Sequence, residues 1–246
     1  KKHGNEFQFA IIHSLLPVIG GDRLCTKIRE TRNCQKLPLV LVGFLLSPAA
    51  QAGFKAKKAS NDELVACLSE QPDDVKRDCM NYISEKRVAE ASDALVGLVK
   101  ESDVKVIRAH ALGTLEKLAT PQVTPAAIYM ARNAPEPANR GKGLVVIQKV
   151  VSESDGASVV LDRMANDEVV SVRRKALAVA KKVSWAGMEE GMIDHGLTDS
   201  EPLVKRDALY GLLAIESQRA RPAIYGVTRS LPEAERTSVL RVWAEN

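Results

Sequence analysis

The sequence predicts an all-α fold, an α-solenoid of about six stacked helical hairpins, on three observations. A unit recurs six times, with starting points 32, 32, 33, 32 and 31 residues apart. Inside each unit, apolar residues return at three-to-four-residue spacing, the period of a helix with one buried face. Aromatic residues are only 4% of a chain that is 45% hydrophobic and rich in Ala, Val and Leu. That composition favours closely packed helices over a β-sandwich.

The chain of 246 residues reads as three stretches. Residues 1–36 are an upstream segment that ends in a basic flank of Arg29, Arg32 and Lys36. Residues 37–52 read LPLVLVGFLLSPAAQA: an apolar run, a helix-breaking Ser47-Pro48, and small residues ending in Ala50-Gln51-Ala52. Basic flank, short apolar run and A-x-A ending are the parts of a secretory signal, which predicts cleavage between Ala52 and Gly53 and a periplasmic or secreted product. The run is too short to cross a bilayer comfortably, since a spanning helix needs about 20 residues, and no stable membrane insertion is expected once the signal is cleaved. A signal placed 37 residues in leads to the further expectation that most of residues 1–30 lies upstream of the natural start. Residues 53–246 form the repeat domain.

Six windows define the second helix, helix B, of each hairpin: QPDDVKRDCM from Gln71, DVKVIRAHAL from Asp103, PEPANRGKGL from Pro135, EVVSVRRKAL from Glu168, SEPLVKRDAL from Ser200 and LPEAERTSVL from Leu231. Their sixth column is basic: Lys76, Arg108, Arg140, Arg173, Lys205 and Arg236. The ninth is small or compact, Cys79, Ala111, Gly143, Ala176, Ala208 and Val239, and lets the paired helices approach. The tenth, Met80, Leu112, Leu144, Leu177, Leu209 and Leu240, fills the space between them. An amphipathic helix A precedes each window, over about 61–69, 89–100, 125–132, 156–165, 187–197 and 222–229. Ser60-x-x-Glu63 is a capping-box pattern for the first, and Thr124 followed by Pro125 predicts the start of the third with Pro125 at its first position. One hairpin cannot cover its own apolar face, and stacking neighbours in register builds a continuous core.

On these columns the chain resembles the HEAT-repeat family, particularly the short bacterial HEAT-like repeats related to those of phycobilisome lyases, over about residues 60–246. The resemblance implies that the basic column is structural, bonding to turn groups and carbonyls. It also implies an acid in the turn beside each basic residue, which reads as Asp103 in the second hairpin, as Glu168 in the fourth, and as absent from the Pro135 copy. That third hairpin, with Pro135, Pro137, Gly141 and Gly143, is the most degenerate and a candidate bend.

Charge limits the functional classes. Of 35 Lys/Arg and 31 Asp/Glu, seven and three precede Gly53, which leaves 28 of each in the repeat domain. Phosphate binding relies on excess Lys/Arg, so a neutral domain argues against a nucleic-acid partner. Columns seven and eight, including Arg77, Asp78, His110, Lys142, Arg174, Lys175, Arg206 and Asp207, mix both signs; the candidate partner surface is His110, Lys142, Arg174, Lys175, Arg206 and Asp207. Cys67, on the first helix A, and Cys79, on the first helix B, are the only cysteines after the signal, and in an oxidising compartment they predict a disulfide.

His110 and His195 lie in different hairpins without a cluster at ligand spacing, so no metal and no cofactor is expected. No G-x-S-x-G, P-loop or H-E-x-x-H pattern occurs. The expectation is an exported, non-catalytic scaffold for a protein or peptide, without nucleic acid. The competing class is a HEAT-like enzyme or accessory protein, a lyase-type chaperone or a nucleic-acid glycosylase, acting in the cytoplasm. Trp243 and Leu240, on the last helix, are expected to pack inward.

Overall fold

The computed structural model describes residues 54–229 and 231–245, without the side chains of Glu235 and of residues 242–245. The signal sequence at 37–52, its cleavage point and the upstream segment lie outside the described residues, as does the side chain of Trp243. Among the described residues every regular element is helical. Twelve α-helices follow in order: α1 Asn61–Glu70, α2 Asp73–Lys86, α3 Ser92–Glu101, α4 Lys105–Leu118, α5 Val123–Asn133, α6 Pro137–Val150, α7 Glu153–Asn166, α8 Val170–Ala180, α9 Met188–Gly191, α10 Pro202–Ala214, α11 Arg221–Thr228 and α12 Glu233–Glu245. A π-helical turn, Met192–Gly196, continues α9.

Local chemistry sets the ends. Ser60 caps α1 as its sequence pattern predicts: its hydroxyl accepts from the Glu63 N–H at 3.3 Å, and the Glu63 carboxylate accepts from the Ser60 N–H at 2.7 Å. The start of α5 differs from expectation. It begins at Val123, so Pro125 is its third residue. The first four N–H groups of a helix have no internal acceptor, so proline costs little anywhere in that turn. Three helices leave through a left-handed residue: Arg87 (φ 56°), Ala119 (φ 54°) and Glu216 (φ 54°). Each stands at the same point of the repeat, so the exit turn recurs along with the core.

α1 packs on α2, α3 on α4, α5 on α6 and α7 on α8, while the turn after α9 packs on α10. From α2 to α10 each even helix also packs on the next even helix, and from α1 to α9 each odd helix on the next odd one. Odd helices thus form one layer and even helices another. The tenth column fills the space between them, with Met80, Leu112, Leu144 and Leu209 at 0% exposure and Leu177 at 2%. Leu64, Leu95, Met130 and Met164 face them from the odd layer, also at 0%. Full burial of such a side chain contributes about 1.5–3 kcal/mol.

The ninth column is buried throughout, and its smallness matters most at Gly143. A Cβ there would stand 2.5 Å from the Ala131 nitrogen, so α5 and α6 meet backbone to backbone. Pro135 precedes α6 and Pro137 opens it, so the helix continues unbroken to Val150. The tenth column fails once. Leu240 is 40% exposed while its neighbour Val239 is fully buried, because no further helix among the described residues lies against that side of α12. The inward packing expected of Leu240 is therefore corrected.

Candidate interaction face

The basic column does not reach solvent in the central pairs. Arg140 donates through Nε and Nη2 to both carboxylate oxygens of Asp167, at 2.8 and 2.9 Å, and through Nη1 to the carbonyls of Ala134 and Pro135 at 3.1 Å. Arg173 repeats the pattern one pair later, to Asp199 at 2.6 and 3.0 Å and to the Asp167 carbonyl at 2.9 Å. Arg108 donates to the Ser102 carbonyl and to Glu136. Each arginine fastens the turn of its own pair and grips a carboxylate of the next.

The acids expected in the turns are corrected by this geometry. Asp103 is not the acid that pairs with Arg108, Glu168 reaches Arg140 only at 3.5 Å, and the Pro135 copy does carry an acid, Glu136. Two of the three acids that close the pairs, Asp167 and Asp199, lie in the column immediately before the windows: Glu70, Ser102, Ala134, Asp167, Asp199, Ser230. Their second role is local. The Val169 N–H donates to Asp167 at 3.0 Å and the Glu201 N–H to Asp199 at 2.8 Å, turning the chain into the next helix. Where that column holds Ala134, Glu136 substitutes from two residues further on and reaches only Nη2. Arg108 Nε is left buried without a partner.

Burial pushes the Asp167 and Asp199 carboxyls upward, but the hydrogen bonds and charges of Arg140 and Arg173 outweigh it. Both are held below the ordinary aspartate value of 3.8. At the ends of the column the grip loosens. Lys76 lies 3.7 Å from Asp73 of its own helix, and beside it a cleft of about 480 Å³, lined in part by Leu68, Gly97 and Asp103, opens between the first two pairs. Arg236 donates to the Leu231 carbonyl at 3.1 Å. Lys205 is close enough to Asp199 to help lower its carboxyl.

No family model matches this chain, and no curated protein matches it. The site therefore rests on its own geometry.

The six residues read as a partner surface fall on the even layer, but they are not equivalent. Arg206 and Lys175 are exposed. Arg174 is tied to Asp207 across α8 and α10 at 2.6 Å. Lys142 is half-buried and donates to the Ala109 carbonyl of α4, above Gly113. Desolvation lowers its pKa first, and Lys117 lowers it further against the pull of Glu116. His110 lies 3.0 Å from Asn81 Oδ1 of α2. Burial lowers its pKa, followed by the charges of Arg77, Lys142 and Lys117.

Cys67 and Cys79 meet within the first pair, sulfur to sulfur at 1.98 Å with Cα atoms 6.5 Å apart. His195 sits on the π-helical turn at the rim of a polar cleft of about 290 Å³ with Asp167, Arg173 and Thr198. The structure does not bring it near His110. Among the described residues no group of three or more His, Cys, Asp or Glu is placed to hold a metal ion, and no helix is long and apolar enough to cross a membrane.

Proposed function

We propose that this chain is an exported scaffold, a HEAT-like α-solenoid of six helical hairpins, which holds a protein or peptide partner along its even helices. The observation that carries the reading is the inward use of the arginine column. Arg108, Arg140 and Arg173 are consumed in joining neighbouring pairs, so the repeat serves to build a surface and does not itself supply a reactive group. The two helical layers support the solenoid reading, because they cover one another pair by pair as stacked repeats do. Cys67 and Cys79 at bonding distance support export, since structural disulfides belong to oxidising compartments.

The test is fractionation of the native host with N-terminal sequencing and affinity capture. A chain beginning at Gly53 in the exported fraction, with a recurrent partner at constant stoichiometry, is the expected result. An unprocessed cytoplasmic chain carrying a chromophore or nucleic acid would replace the scaffold by the lyase-type or glycosylase-type alternative.

A further inference from the structure

The domain's formal neutrality conceals a division of charge between its two layers. The odd helices α1, α3, α5, α7 and α9, with the π-helical turn, carry eleven acidic residues and three basic ones. The even helices α4, α6, α8 and α10 carry eleven basic residues and two acidic ones. Setting aside the inward Arg108, Arg140 and Arg173 still leaves eight against two. The helices at the two ends of this series are mixed: α2 has four acids and three bases, and α12 three acids and two bases.

The surplus cations on the even layer are neighbours across helices. Arg77, Lys117 and Lys142 are all near enough to His110 to act on it through their charge. The Lys175 stem lies beside Gly141 of α6. The two acids of α4, α6, α8 and α10 are already engaged: Glu116 accepts from Lys149 at 2.7 Å and Asp207 from Arg174 at 2.6 Å. What remains is a row running from Arg77 through Lys117, Lys142 and Lys175 to Arg206. Small residues lie between the cations, with Ala109, Gly113 and Gly141 all half-buried. This is a shallow surface on which a backbone can lie.

We infer that the even layer binds an extended acidic polypeptide segment. The inference rests on the scaffold reading and names the chemistry of its partner. Five helices side by side at about 9 Å occupy about 35 Å, the reach of about ten extended residues at ~3.3 Å each. A peptide suits the face better than a nucleic acid. The acidic odd layer repels a long polyanion that extends past the edge, whereas a short segment feels only the basic face. Among the described residues, moreover, the one aromatic side chain over a third exposed on the even helices is Tyr210, and single strands are held largely by stacking on several aromatics.

The test is fluorescence anisotropy of fluorescein-labelled decaglutamate with the full chain, against decathymidylate as a polyanion of another class. Decaglutamate is expected to bind at low salt and to weaken steeply as the Debye length shortens from about 20 to about 8 Å. Lys117→Glu with Lys175→Glu, both exposed positions, is expected to weaken it at least about tenfold, about 1.4 kcal/mol. Asp93→Lys, on the exposed side of α3, is expected to leave it unchanged. Absence of decaglutamate binding, or decathymidylate binding as tightly, overturns the inference. So does self-association in sedimentation that the double reversal abolishes, since the occupant would then be a second copy. A captured partner whose binding the reversal leaves intact overturns the acidic ligand and spares the scaffold.

Discussion

The first helical pair and the central pairs solve the same problem with different bonds. From α4 to α10, neighbouring pairs are joined by an arginine that reaches from one even helix into the next turn, where Glu136, Asp167 or Asp199 receives it. Between the first and second pairs Lys76 bonds within its own helix and a cleft stands where the grip would be. The first pair is closed internally instead, by Cys67 and Cys79. Lysine offers one point charge and cannot form the two parallel bonds that a guanidinium makes. The difference teaches that the basic column is two devices under one charge: an inter-pair clamp where it is arginine with an acid ahead, and a local contact where it is lysine with serine ahead, as at Lys76 and Ser102.

Acid should break this contrast most strongly, because it removes all three clamps together. Glu136, Asp167 and Asp199 have carboxyls held below their ordinary values in the fold. A lowered folded-state pKa contributes stability that is complete above the unfolded value and is lost as the pH falls through the folded one. Stability is therefore expected to hold from neutral pH to about 5 and to decline below about 4, where unfolded carboxyls protonate. Hydrogen exchange at stepped pH should show α4, α6 and α8 losing protection before α1 and α2. Loss from α1 and α2 first would refute the clamp.

A single clamp comes next. Asp167 is 3% exposed, and Arg140→Ala would strand its charge beside only Arg163 and a backbone N–H. The expected cost is about 3–5 kcal/mol by denaturant titration, the range for breaking a buried ion pair from one side. Replacing both partners, Arg140→Met with Asp167→Leu, should cost much less. Equal losses would mean that the site depends on packing and not on charge.

The disulfide should matter less, and only locally. Reduction, or Cys67→Ala with Cys79→Ala, is expected to lower stability by about 2–3 kcal/mol, the loop-closure value for a separation of 12 residues. Increased exchange confined to α1 and α2 would agree with a terminal pair fastened within itself. A uniform rise across α4–α10 would show instead that the first pair supports the rest.

Much of this was legible in the sequence, and what was not has physical reasons. The ninth and tenth columns reported the core correctly through Leu209, because helical burial leaves an unmistakable period in side-chain size. Leu240 broke the pattern since a column records position in the repeat and not the presence of a neighbour to cover it. The inward role of the basic column was legible only through the family resemblance, and its acids were misplaced. Asp167 and Asp199 sit one residue ahead of the windows and act on the preceding pair, so a search within each turn passes them by. Extending the alignment one residue towards the N-terminus would have found Asp167 and Asp199, although not Glu136, which occupies another column. Mixed signs at Arg174 and Asp207 read as a neutral surface, whereas their pairing at 2.6 Å removes both from it. Summing charge along the chain concealed the layers because odd and even helices alternate in sequence and their charges cancel.

The smallest effect offers the sharpest comparison, because it asks whether the clamp can be moved. Lys76→Arg with Ser102→Asp would give the first junction the residues that Arg140 and Asp167 use. Ser102 already makes the local half of these bonds, since its hydroxyl accepts from the Val104 N–H at 3.2 Å and its carbonyl accepts from Arg108. Asp167 makes both of the equivalent bonds in its own turn while pairing with Arg140, so an aspartate at 102 has a template in the same molecule. Lys76→Arg alone keeps a charge that Asp73 already faces, and Ser102→Asp alone meets only the point charge of Lys76, so each is expected to be nearly neutral. Together they are expected to show a favourable coupling of about 1 kcal/mol in a double-mutant cycle. The gain stays modest because Lys76 already has Asp73 and because the cleft admits water that weakens the pair. A coupling of zero would mean that the clamp needs more of its central surroundings than its two residues.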